Sequence, residues 1–200
     1  MKSDIDQAVR VLNKGGIVIF PTDTAFGMGC RMDNEKAIRR LFTIRKRPKD
    51  KPVPVLVSSF KMVEEYLEPT GSDVRSIMEK HWPGGLTLIL CCNRVRVPSL
   101  VRAGKGTIGV RIPNHKTALK LIKGVGVPIL GPSANFHGEK TPYSLEDLNP
   151  DLVKLVDFAI SGKTNNIGSP STVVDCSVKP WTIIRKGAVK LDLRIKNYEL

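Results

Sequence analysis

At 200 residues and 22.0 kDa, with 41% hydrophobic residues and a mean hydropathy of -0.10, the chain has the size and balance of one soluble globular domain. A net charge of +13 favours polyanionic partners without telling ATP from RNA or from a solvated basic surface, and 6% aromatic residues argue against an extended base-stacking platform. No apolar run approaches a membrane span and the first residues lack the apolar core of a signal peptide, so a cytoplasmic location is the expectation.

In chain order, Ile5, Ala8, Val9 and Leu12 recur at helical spacing, and Gly15-Gly16 ends that helix. Ile17 to Phe20 reads as a buried strand. Asn34 is placed to cap a second helix whose apolar face is Ala37, Ile38, Leu41 and Phe42. Val53 to Val57 is the next strand, with Pro54 pointing to an edge or a bulge. Ser72 is expected to cap a helix carrying Val74, Ile77 and Met78, and Asn114 one carrying Ala118, Leu119 and Ile122.

Strands are expected at Leu86 to Cys91, Thr107 to Ile112, Val127 to Leu130, Phe158 to Ile160, Thr172 to Val174 and Thr182 to Ile184. Ser144 and Asp147 have the spacing of a capping box. Residues 93–106, with Arg94, Arg96, Arg102 and Lys105, read as a mobile basic loop. Of the four cysteines (Cys30, Cys91, Cys92, Cys176) none makes a C-x-x-C pair, so buried thiols are expected rather than a zinc site or disulfides. The pattern predicts an α/β fold, one domain with a twisted mixed sheet flanked by helices, over residues 5–189, with a tail over 190–200.

Two segments suggest chemistry. The loop from Arg45 to Pro52 carries Arg45, Lys46, Arg47, Lys49 and Lys51 behind a helix. It suits phosphate or carboxylate oxygens, and equally a solvated loop at a helix C-terminus. Gly131-Pro132-Ser133-Ala134-Asn135 is a short polar turn after an apolar run. Thr22 and Thr24 sit just beyond a strand, where hydroxyls serve either a ligand or the turn itself. The turn at Trp82-Pro83-Gly84-Gly85 reads as structural, and His81, His115 and His137 are not expected to be catalytic.

Seven segments in order resemble the YrdC family, the threonylcarbamoyl-AMP synthases of tRNA modification. They begin with Phe20 to Gly29, Arg45-x-Arg47-Pro48 and His81 to Thr87. Gly109 to Pro113, Gly131 to Asn135, Ser171 to Asp175 and Ile184 to Ala188 follow. The resemblance implies the YrdC-like fold and a nucleotidyl transfer that makes threonylcarbamoyl-AMP and pyrophosphate from ATP, L-threonine and bicarbonate. Mg²⁺ would accompany ATP, and tRNA and a threonylcarbamoyl-transfer machinery would be partners.

By the same resemblance Thr24, Arg111, Ser133 and Ser171 bind threonine. Arg47, Lys51, Thr107, Asn135, Tyr143 and Arg185 bind ATP, and Arg45, Arg47, Ser133 and Asn135 are the catalytic set. Tyr143 falls near a position that relatives fill with a small hydroxyl residue. Arg45 replaces the family's Lys, and Leu56 stands where some relatives have a histidine against threonine. Thr107 and Arg111, four apart on a strand, share a face. The competing reading is a non-catalytic double-stranded RNA- or tRNA-binding module of the same fold. A sugar-phosphate lyase is disfavoured by the lack of a clustered acidic metal site in the sequence.

Overall fold

The computed structural model describes residues 3–165 and 167–191. The tail expected at 190–200 therefore lies almost wholly outside the described residues. Helix α1 (Asp4–Asn13) opens on Ser3, whose hydroxyl accepts from Asp6 N while the Asp6 carboxylate accepts from Ser3 N. Ala8 and Leu12 are its buried face, and Gly15, at φ 82°, turns the chain out of the helix.

Strand β1 (Val18–Pro21) is wholly buried. It pairs antiparallel with β2 (Phe26–Gly29) through a tight turn at Thr22–Ala25. Strand β2 carries no period-two pattern, and nothing in the sequence announced it. Helix α2 (Glu35–Ile44) starts at Asn34, whose side chain accepts from Ala37 N at 3.0 Å. It buries Ala37, Ile38, Leu41 and Phe42, as its spacing predicts. Lys46, at φ 52°, then turns the basic loop back under the helix end.

Strand β3 shrinks to Val55–Leu56, because Pro54 offers no N–H to a ladder. It is not an edge strand: β5 (Thr107–Arg111) lies on one side and β6 (Ile129–Leu130) on the other. Helix α3 (Phe60–Tyr66) follows, capped by Ser59. Helix α4 (Ser72–His81) begins after Gly71, so Ser72 is its first residue and not its cap. There Asp73 Oδ1 accepts from Val74 N instead. Strand β4 (Leu86–Cys91) has the predicted bounds.

The expected mobile loop at 93–106 is anchored. It contains the short helix α5 (Ser99–Arg102), it buries Val97 and Val101, and Arg102 donates to the carbonyls of Val97 and Lys105. Helix α6 (Lys116–Val125) starts after His115 rather than Asn114 and has no side-chain cap bond. The Ser144–Asp147 spacing makes a turn, not a helix: Asp147 Oδ2 accepts from Tyr143 N, Ser144 N and Ser144 Oγ. Helix α7 (Pro150–Leu155), capped by Asn149, then leads to β7 (Phe158–Ala159), β8 (Thr172–Asp175) and β9 (Thr182–Arg185).

The fold class is mixed α/β as expected, and the strands divide between two sheets. One has the order β2-β1-β7. The other has the order β6-β3-β5-β4-β8-β9 and mixes parallel and antiparallel pairs. One face of the larger sheet presents Leu88, Leu90, Ile108, Val110 and Val174 to a core shared with α2 and α4. Each such side chain contributes about 1.5–3 kcal/mol by leaving water. On the alternate positions the same strands carry Thr87, Ile89, Thr107, Gly109, Arg111, Val173 and Asp175. This polar, more open face is where ligand space lies.

Candidate functional site

Two clefts meet on that open face. The first, about 170 Å³, is walled by the Thr22–Gly27 turn, the end of α2 and the Gly131–Ser133 turn. The second, about 240 Å³, runs on along β4, β5 and β8. Pro54, Thr87, Ser171 and Arg185 line both, so the clefts are neighbouring compartments of one site.

Four arginines line the first cleft: Arg45, Arg47, Arg111 and Arg185. Arg45, at the C-cap of α2, is only 3% exposed. Its Nε donates to the Asn135 carbonyl oxygen at 3.0 Å and its Nη2 reaches Asn135 Oδ1 at 3.5 Å. Its Nη1 is buried and has no hydrogen-bond partner among the described residues. Burial first, and then the neighbouring Arg47 charge, pushes its pKa down to about 10, so it remains a cation at neutral pH.

Arg47 Nη2 donates to the Pro52 carbonyl at 2.5 Å and Nε to that of Lys51 at 3.3 Å, which folds the basic loop around the side chain. Arg185 Nε and Nη2 donate to the Ser171 carbonyl at 3.0 and 2.8 Å, and Nη2 also to Ser171 Oγ at 3.0 Å. Burial lowers the pKa of both arginines. Like charges gathered partly out of water are relieved by an anion. Among the described residues lining the first cleft there is no Asp or Glu to supply one.

Arg111 is the most constrained of the four. Its Nε donates to Gly84 O at 2.8 Å, its Nη1 to Thr24 Oγ1 at 2.8 Å, and its Nη2 forms a buried ion pair with Asp23. Burial lowers its pKa against the opposing pull of Asp23. One N–H on each terminal nitrogen is left over, so the structural pair does not use up the donors of this guanidinium. The Trp82–Gly85 turn is structural as read, but its Gly84 carbonyl sets the angle of this guanidinium.

The hydroxyls divide between turn and cleft. Thr22 Oγ1 donates to Ala25 O at 2.6 Å and accepts from the N–H groups of Thr24 and Ala25, the local turn role. Thr24 Oγ1 is tied to Arg111. Ser171 Oγ and Thr87 Oγ1 are 2.8 Å apart between the two clefts. Ser133 lines the first cleft, and its backbone bridges to Gly27. Thr107 shares a face with Arg111 as expected, but lines only the second cleft.

Three expected residues line neither cleft. Lys51 is exposed and contributes its carbonyl to Arg47. Asn135 spends Nδ2 on the carbonyls of Phe136 and Glu139 at 2.8 and 3.0 Å, and its oxygens hold Arg45. It positions Arg45 rather than facing the ligand space. Tyr143 lines neither cleft, whereas Thr141, two residues earlier, lines the first. The sequence reading also missed Thr87 and Asp175. Period-two alternation from Arg111 through β5 to its partner strands was the signal that pointed to them.

Leu56 lines the first cleft and is 3% exposed. Its Cγ and Cδ atoms fill the volume that a Cβ on Gly131 would need. None of the three histidines lines either cleft. His137 N donates to Arg45 O at 2.8 Å, and His115 Nε2 lies 3.0 Å from Lys163 O. All four cysteines are free, and burial pushes the Cys30 and Cys176 thiols up to about 12.

The family model Sua5_yciO_yrdC, described as "Telomere recombination", matches residues 10–187. The chain is 34% identical over 185 residues to a protein named threonylcarbamoyl-AMP synthase from Bacillus subtilis, covering 92% of this chain and 54% of that one. It is 30% identical over 189 residues to a protein of the same name from Vibrio vulnificus, covering 94% and 100%. The structure of P. abyssi Sua5 complexed with L-threonine superposes with a TM-score of 0.86 at 32% identity, covering 94% of this chain and 55% of that one. The chain thus spans about half the length of the Bacillus and Pyrococcus relatives.

Proposed function

The chain belongs to the Sua5/YciO/YrdC family, and on that premise we propose that it is a threonylcarbamoyl-AMP synthase. One observation carries the reading. Two compartments, one ringed by arginines and one largely apolar, share Ser171, Thr87 and Arg185 as a common wall. A small zwitterion and a nucleotide could then lie side by side with their reactive ends in contact. The amine of L-threonine combines with carbon dioxide derived from bicarbonate to give a carbamate, the amine proton and the hydroxide of bicarbonate leaving as water. A carbamate oxygen then attacks the α-phosphorus of ATP, the bond to the bridging oxygen breaks, and pyrophosphate leaves with the electron pair.

The chemistry asks for orientation and charge neutralisation, not a covalent nucleophile. The unspent N–H groups of Arg111 would hold the threonine carboxylate, with Thr24, Ser133 and Ser171 around its amine and hydroxyl. Arg45 Nη1, Arg47 and Arg185 would meet the phosphates, and Asn135 would hold Arg45 in place. The nucleoside would extend past Thr107. Lys51, exposed at the loop tip, would attract ATP at longer range.

Mg²⁺ would enter with ATP, held by phosphate oxygens and water rather than by the arginines of the lining. The described residues bring together no group of three His, Cys, Asp or Glu side chains. The product would pass to a transfer machinery acting on tRNA. No described helix is long and apolar enough to cross a membrane.

Pyrophosphate release from ATP, L-threonine, bicarbonate and Mg²⁺ tests the reading, with each substrate omitted in turn. Release that requires all three, with a threonylcarbamoyl adenylate seen by mass spectrometry, is the expected result. No release from a folded chain that binds ATP would sink the proposal and favour an RNA-binding module of the same fold.

A further inference from the structure

We propose that Asp175 reads the nucleoside of the bound nucleotide by accepting a hydrogen bond from it. The inference rests on ATP occupying the second cleft. Ile89 of β4 stands opposite Gly109 on one side and opposite Asp175 on the other, so the three form one cross-strand row on the open face. Gly109 has no side chain to stand in the floor. A Cβ there would press within 3.3 Å of Thr87 Cγ2 and 3.8 Å of Pro54 Cβ. The floor over Gly109 is therefore low, with Pro54, Ile89 and Val173 around it. A low apolar slot of this kind accepts a flat ring.

Asp175 is the exception in that slot, the one carboxylate among the described residues lining either cleft. Its Oδ1 accepts from Ser177 N at 2.9 Å and from Ser177 Oγ at 2.6 Å, which fixes the carboxylate in one orientation. Its Oδ2 accepts no hydrogen bond from the described residues. Bracing Ser177 takes one oxygen, and the second is left for a donor.

Charge decides which end of a nucleotide comes here. Among the described residues the first cleft gathers four arginines and no carboxylate, whereas the second sets Asp175 against Lys105 and Arg185, so phosphates are drawn to the first and the uncharged end lies against Asp175. An ionised carboxylate only accepts. Its partner is thus a donor of the nucleoside: the exocyclic amine of the base or a ribose hydroxyl.

Equilibrium titration of the full chain with ATP, ITP, 2′-deoxy-ATP and 3′-deoxy-ATP, each with Mg²⁺, separates these sources. We expect one analogue class to bind about tenfold more weakly than ATP: ITP if the amine is read, a deoxy nucleotide if a hydroxyl is. Asp175→Asn keeps an oxygen for Ser177 but turns a donor toward the cleft. In that variant the penalty should shrink to about twofold, with the thermal midpoint unchanged. Equal binding of all four nucleotides by the wild type overturns the proposal whatever the variant does. So does an undiminished penalty in a folded Asp175→Asn chain. A folded wild type that binds no ATP removes the ATP reading and this one together, whereas ATP bound without discrimination removes this one alone.

Discussion

Arg45 and Asn135 are joined across 90 residues of sequence by hydrogen bonds from one guanidinium to both oxygens of the asparagine. The bonds leave Arg45 Nη1 as a buried cationic donor beside the first cleft. Arg45 stands where the family pattern that the sequence resembles has lysine, and an ammonium cannot grip Asn135 with two nitrogens while offering a third.

Arg45→Lys should therefore lower turnover by about 10- to 100-fold, the cost of losing a charge-assisted hydrogen bond at the reacting end. Asn135→Ala should act in the same direction through Arg45. Pyrophosphate release alongside circular dichroism checks this. Full activity in a folded Arg45→Lys chain would show that charge alone suffices.

The Asp23–Arg111 pair is 2% and 7% exposed at its side chains. Removing one partner strands a buried charge, so Asp23→Ala or Arg111→Ala should each cost about 3–5 kcal/mol in denaturant unfolding. Removing both should cost less than the sum of the two. If the two losses simply add, the pair is not coupled in the way the geometry implies. In any Arg111 variant that still folds, the threonine requirement should rise more than the ATP requirement.

Gly131→Ala should destabilise by about 1–3 kcal/mol, because its new methyl meets the Leu56 side chain that already fills the space. Leu56→Ala in the same chain should recover part of the loss. Thermal unfolding of the two variants and their combination measures it. Unchanged stability of Gly131→Ala would mean that Leu56 has room to withdraw.

Burial holds the Arg45 pKa down to about 10, and a phosphate at Nη1 would favour its charged form. Binding is therefore fully expressed below that value and is lost as pH rises through it. ATP affinity should be flat around neutral pH and weaken as pH approaches about 10, with protons taken up on binding there. Calorimetry in buffers of different ionisation enthalpy reads the uptake. The same series on Arg45→Ala should show a shallower slope, and an identical slope would assign the effect to other cations.

Much of the fold was legible because its signals are local. Asn34 caps α2 and the apolar spacing of Ala37, Ile38, Leu41 and Phe42 turns one face inward, as a 3.6-residue period requires. Strand β4 took its predicted bounds from an unbroken run of six residues. The misses also have physical causes. Strand β2 is Phe-Gly-Met-Gly, held by its pairing to β1 rather than by its own propensity. The segment at 93–106 is basic outside but anchored by Val97 and Val101, two residues too few to make a periodic pattern. Ser144 and Asp147 have capping spacing, yet Asp147 finds its donors in a turn.

By itself the sequence determined most of the strands and helices that carry the site, β2 excepted, and the face that Thr107 and Arg111 share. Alternation along a strand is a property of the backbone, and it needs no partner to be read. The tertiary structure alone decided which groups meet. It sent the Asn135 side chain to Arg45 and away from the cleft, it spent Arg111 on Asp23 and Thr24, and it put Thr141 rather than Tyr143 on the wall of the first cleft. A buried donor takes the acceptor that packing brings within about 3 Å, and separations of 87 to 90 residues leave no trace in local periodicity.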